Sequence, residues 1–178
     1  MDGIVGRIIA PIILIVLMVV TPLVWVATGI DNSQRSAVDR IVNTYASEVR
    51  STGVITKENY EMFLRNLQKT GELYDINIVH ESVVAVPNGK GKYGKAYTAY
   101  GKEDILAYVE GYGDDLEPGT ADDTEGADYK MKQGDYITIT ATSLNGSVGT
   151  RYLDAANGDA VKGIKINATA GGMVGNKK

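Results

Sequence analysis

"IIAPIILIVLMVVTPLVWVATGIDNSQRSAVDRIVNTYASEVR", residues 8–50, decides the fold because it changes character once and then does not change back. Residues 8–30 run for 23 positions without a charge, and 14 of them are Ile, Leu or Val. At about 1.5 Å per helical residue that length reaches roughly 34 Å, against a hydrocarbon core of about 30 Å. Each of those aliphatic residues favours insertion by about 0.3–0.6 kcal/mol near the bilayer centre. The segment therefore reads as a transmembrane or filament-core helix. Ala27-Thr28-Gly29 offers a small-x-small triplet to a signal peptidase, but the apolar run exceeds the usual signal core and the leading "MDGIVGR" holds only Arg7 as a side-chain cation. Retention is the expectation, with the N-terminus inside and residues 31–178 exported as a head. Pro22 removes the donor for the carbonyl of Met18, which predicts a kink or a melted turn.

From Asp31 onward the pattern is amphipathic. Val38, Ile41, Val42, Tyr45, Ala46 and Val49 draw one apolar stripe at helical spacing. A bundle of like chains and the chain's own head are both candidate partners for that stripe. Gly53 closes this helix. Thr56 then reads as the N-cap of a second one within "ITKENYEMFLRNLQKTG" (55–71), which buries Tyr60, Phe63, Leu64 and Leu67 and is ended by Gly71.

Beyond Gly71 the period becomes two. "LYDINIVHESVVAVP" (73–87) reads as a strand or a bulged pair of strands with Tyr74, Ile76, Ile78 and His80 on one face, and "NGKGKYGKAY" (88–97) reads as a basic, glycine-rich turn region. "KEDILAYVEG" (102–111) predicts a short helix with Ile105, Leu106 and Val109 inward. "DYITITATS" (135–143) alternates cleanly, Asn145-Gly146 predicts a two-residue hairpin with a return strand to Leu153, and "AVKGIKINATA" (160–170) is a last alternating run. Helices followed by three or four antiparallel strands make an α+β fold. The division expected is a hydrophobic helix at 1–30 and a head at 31–178, helical over 31–71 and mainly β over 72–178, with an acidic loop at 113–128.

The composition removes most chemistries. There is no cysteine and a single histidine, His80, which leaves no thiolate site and few metal or triad arrangements; no cofactor and no enzymatic activity are expected. A net charge of −4 without a basic patch excludes the footprint of a nucleic-acid binder. Eleven tyrosines against one phenylalanine and one tryptophan suit half-buried strands and contact surfaces. The loop at 113–128 carries seven carboxylates. Asp114, Asp115, Asp122, Asp123, Glu125 and Asp128 are its calcium candidates, although the spacing before Gly126 lacks the first ligand of an EF-hand and a solvated loop is the plainer reading. Asn145 and Asn167 match the glycosylation acceptor pattern, which arises often by chance.

Two blocks, "YASEVRSTGVITKENYEMFLRNLQKTGELYDINI" (45–78) and "YKMKQGDYITITATS" (129–143), resemble the pilin-like proteins of the tight-adherence (Tad) type in Gram-positive bacteria, related in plan to type IV pilins. The resemblance covers about a third of the chain and the overall layout. It implies an exported α+β head on one hydrophobic helix, and a structural role in a surface filament that assembles with copies of itself through that helix. The membrane would hold the precursor, and the pilus or secretion machinery would be its other partner. The assembly residues so implied are Ile13, Leu17, Val20, Pro22, Leu23 and Trp25 in the apolar helix, with Val38, Ile41, Val42 and Tyr45 beyond it. Type IV pilins also carry a glutamate a few residues into the helix, whereas this chain has no acid between Asp2 and Asp31. The alternative is a single-pass accessory component or ligand-binding ectodomain that stays in the membrane.

Overall fold

A computed structural model describes residues 2–87, 93–111, 126–147, 149 and 165–175. The first helix, α1, is continuous from Asp2 to Thr52 with Pro11 and Pro22 inside it. The turn at Pro22 is therefore not melted: the ladder is helical on both sides, and one missing donor does not end it. Helix α1 runs on through Asp31, whose carboxylate accepts the amide of Gly149 at 2.8 Å.

Gly53 takes φ +68 and its amide returns to the Val49 carbonyl at 2.8 Å, which closes α1 and turns the chain into a two-residue strand, β1 (Val54–Ile55). Helix α2 (Lys57–Gln68) opens as its sequence predicts, with the Thr56 side chain accepting the Asn59 amide at 3.2 Å. Tyr60, Phe63 and Leu67 are buried from it, and the Phe63 ring lies flat on Tyr45 of α1 with centroids 4.3 Å apart.

Strand β2 (Tyr74–Pro87) is one strand of 14 residues. It pairs with β3 (Tyr93–Tyr100) on one side and β5 (Tyr136–Ser143) on the other, and β5 in turn pairs with β6 (Asn167–Met173), so the four-stranded antiparallel sheet has the order β3-β2-β5-β6. Helix α3 (Lys102–Glu110) follows β3, and β4 (Tyr129–Lys130) pairs with β1 in a small second ribbon. The fold is α+β.

Two expectations are corrected here. The region 88–97 is not all turn: from Tyr93 onward it is strand, despite glycine and lysine content that local propensity disfavours. Second, both edges of β5 are filled, by β2 from Tyr74 to Glu81 and by β6 from Asn167 to Met173. Asn145-Gly146 cannot fold a return strand back onto β5, because the hydrogen-bonding positions are taken; residues 150–153 lie outside the described residues.

The alternation in β5 sends Ile137, Ile139, Ala141 and Ser143 inward and Thr138, Thr140 and Thr142 to the other face. Inward residues of β6 are small, Ala168, Ala170 and Gly172, where α1 crosses the sheet. A Cβ on Gly172, at φ +148, would stand 2.7 Å from the guanidinium carbon of Arg50. Helices α1, α2 and α3 contribute to one core with that face: Val38, Val42, Val49, Ile55, Leu67, Ile78, Ile105, Ile137 and Ile139 are fully buried together. Each such aliphatic side chain contributes about 1.5–3 kcal/mol of burial.

Candidate functional site

The first candidate surface is the leading half of α1. Ile9 to Val26 expose large apolar side chains on every side of the helix, from 37% at Val24 to 77% at Trp25. None of the most apolar window, mean hydropathy 2.7, is covered by the rest of the chain, and the helix is long and apolar enough to cross a membrane. The polar groups in it are turned back on the backbone: Thr21 donates to the Leu17 carbonyl at 2.7 Å and Thr28 to the Val24 carbonyl at 3.0 Å. That is what hydrocarbon demands of a hydroxyl.

The residues expected to drive assembly divide between two environments. Ile13, Leu17, Val20, Pro22 and Trp25 stand exposed on the rod; the side chain of Leu23 lies outside the described residues. Val38, Val42 and Tyr45 are buried against the head of the same chain, and Ile41 is half-buried beside them. The apolar area of Val38, Val42 and Tyr45 is used inside the chain, which leaves little of it for contacts between copies, whereas Ile41 keeps part of its surface open. Burial also raises the Tyr45 phenol well above its ordinary pKa, with Tyr60 and Glu48 adding to it.

Where the rod meets the head, Val26, Gly29, Ile30, Ser33, Ala37 and Ile41 of α1 line a groove of about 730 Å³ against the end of α2. Gly29, Ser33 and Ala37 fall four apart, a spacing that lets a second backbone approach closely. Gln34, also in the groove wall, is buried and donates to the Thr70 carbonyl at 3.1 Å.

The second candidate lies where β5 begins, on the inner face of β2. The inner face of β2 changes there from Ile76 and Ile78 to His80 and Ser82, and both polar residues are buried. Their partner is Asp135, at the start of β5. Its carboxylate accepts from Ser82 Oγ at 3.0 Å and from the Lys132 amide at 2.8 Å, and lies 2.9 Å from His80 Nε2. Burial pushes the Asp135 carboxyl upward, but the Lys132 amide, His80 and Ser82 outweigh it and hold the group below its usual 3.8.

An ionised carboxylate only accepts, so His80 Nε2 donates to it, while Nδ1 is hydrogen-bonded to the Tyr129 hydroxyl at 2.7 Å. The Tyr129 phenol is pushed up to about 12, by burial first and then by Tyr100, Asp104 and Asp135. A phenol so held stays neutral at ordinary pH and is no nucleophile here. Ser82 faces the carboxylate and not the imidazole, so the trio does not form a hydrolase triad.

Around this floor the rings of Tyr100, Tyr108 and Tyr129 and the side chains of Lys130, Lys132 and Asp128 line a cleft of about 520 Å³. Tyr100 stacks on His80 at 5.5 Å, and Tyr108 meets Tyr129 edge-on at 5.9 Å. The sequence places His80 correctly on an alternating strand but gives no sign of its partners, which lie 49 and 55 positions away. The nearest signal was the Gly134-Asp135 pair that leads β5.

Of the calcium candidates, Asp114, Asp115, Asp122, Asp123 and Glu125 lie outside the described residues, and Asp128 is exposed at the cleft rim. No metal-binding group of three or more side chains occurs among the described residues. No family model matches the chain, and no curated protein or solved structure matches it.

Proposed function

We propose that the protein is a structural subunit of a pilus-like surface filament, held in the membrane as a precursor with its N-terminus inside and assembled through the leading half of α1. The observation that carries this reading is a rod of exposed aliphatic residues, Ile9 to Val26, rigidly continuous with a helix locked in the head. A helix apolar all round needs lipid or other apolar helices. The same side chains that are content in a bilayer are content beside copies of themselves, and repeated head-to-tail contacts that do not close produce a fibre. The small-residue stripe at Gly29, Ser33 and Ala37 supports close helix approach just above the rod. The layout also agrees with the one the Tad-type resemblance implies.

Electron microscopy of material sheared from cells producing the full chain tests the proposal. Threads that contain the protein, with the apolar segment present by mass spectrometry, support it. Recovery only as single lipid-embedded copies overturns it and leaves the second reading, an anchored ligand-binding ectodomain. That reading is favoured by the cleft at His80, which residues of a single chain line.

A further inference from the structure

We infer that the cleft bounded by Tyr100, Tyr108 and Tyr129 is a binding site for a neutral saccharide, held well out from the membrane at the level of the C-terminal end of α1. Its position follows from α1. Asp135 is tied to the C-terminal end of that helix, since the Val174 amide donates to the Asp135 carbonyl and the next amide, Gly175, donates to the Arg50 carbonyl. Arg50 stands 20 residues beyond Ile30, the last residue of the uncharged segment, or about 30 Å along the helix axis. A site at that level faces outward from any surface in which the rod is embedded.

The chemistry follows from the walls. The volume, about 520 Å³, lies within the roughly 300–1,000 Å³ of small-molecule sites. Tyr100 and Tyr108 are 39% and 55% exposed, so ring area remains open to a ligand after their own contacts are made. Among the described lining residues, two lysines, Lys130 and Lys132, stand against two aspartates, Asp128 and Asp135, so their charges cancel and select neither an anion nor a cation. The floor is already paired: His80, Ser82 and Asp135 satisfy one another and hold the Tyr129 ring in place. What fits is an uncharged molecule with an apolar flat face for the tyrosine rings and hydroxyl groups for the phenols, lysine ammonium groups and the Asp128 carboxylate. A pyranose has both. This inference stands on the head alone and does not depend on filament assembly.

The full chain in phosphatidylcholine nanodiscs, which contain no sugar head group, is titrated with disaccharides of glucose, galactose and N-acetylglucosamine while tyrosine ring resonances are followed. At least one sugar is expected to shift Tyr100, Tyr108 and Tyr129 saturably. Tyr108→Ala, at an exposed position of α3, should weaken that binding about fivefold to tenfold, the size of one aromatic contact. Tyr97→Ala, on the 67% exposed Tyr97, should leave it unchanged. Absence of saturable shifts with all three sugars overturns the assignment. So does equal binding by Tyr108→Ala with its fold intact by circular dichroism, or displacement of the sugar by millimolar acetate or tetramethylammonium.

Discussion

The two halves of α1 share one backbone and differ in what their side chains meet. From Ile9 to Val26 the described apolar side chains surround the axis and none is buried by the rest of the chain; from Gln34 to Val49 they are confined to one stripe, and that stripe disappears into the head. The difference teaches that hydrophobicity alone does not predict a partner. The trailing half is less apolar, yet Val38, Val42 and Val49 are wholly buried, because a stripe of limited width can be matched by one sheet face. The leading half has no such face to match, and only a surrounding medium of lipid or like helices can cover it.

The strongest way to break this comparison is to charge the rod. Leu17→Asp with Val20→Asp should cost about 6 kcal/mol of insertion free energy. Cell fractionation should show loss of the protein from membranes and from sheared fibres, while the head's melting temperature stays put. A shift in that melting temperature would show that the rod also packs on the head.

Phe63→Ala probes the other half. It removes the ring stacked on Tyr45 between α1 and α2, and should cost about 3–5 kcal/mol in chemical denaturation with membrane retention unchanged.

Asp135→Asn sharpens the contrast at the polar end of the head, with an expected loss of about 1–3 kcal/mol at neutral pH as His80 and Ser82 lose a charged acceptor. The pH dependence has a fixed sign. Because the native carboxyl lies below 3.8, its contribution is complete above that value and is lost as pH falls through the lower native value. Acid melting curves of the variant should be flatter than wild type in that range. The rod, with no titratable side chain between Arg7 and Asp31, should not respond.

The smallest effect at neutral pH is expected from Tyr129→Phe, about 1 kcal/mol from the lost hydrogen bond to His80. At alkaline pH the sign reverses. Tyr60 and Tyr129 are both pushed up to about 12 in the folded chain, from 10.0, so the stability they hold as neutral phenols is full below pH 10 and is lost as pH rises toward 12. The variant should lose less on alkaline titration, read by circular dichroism alongside phenolate absorbance.

Residues 8–30, Thr56, Gly53 and the alternation of 135–143 were legible in the sequence because each acts through its own neighbourhood. An uncharged run of sufficient length, an N-cap three residues before its amide, a positive-φ glycine and a period of two are all local properties. Tertiary structure alone decided the rest. Which face covers the Val38–Val49 stripe, that β5 lies between β2 and β6, and that Tyr93–Tyr100 is a strand depend on pairings between distant segments. The His80, Asp135 and Tyr129 network is the clearest case: three polar residues, each bland in its own segment, meet only because antiparallel register sets His80 opposite Ile137 and so beside the start of β5. Local sequence carries the energy of an element, but the partner of each face is settled by which burial the whole chain can complete at once.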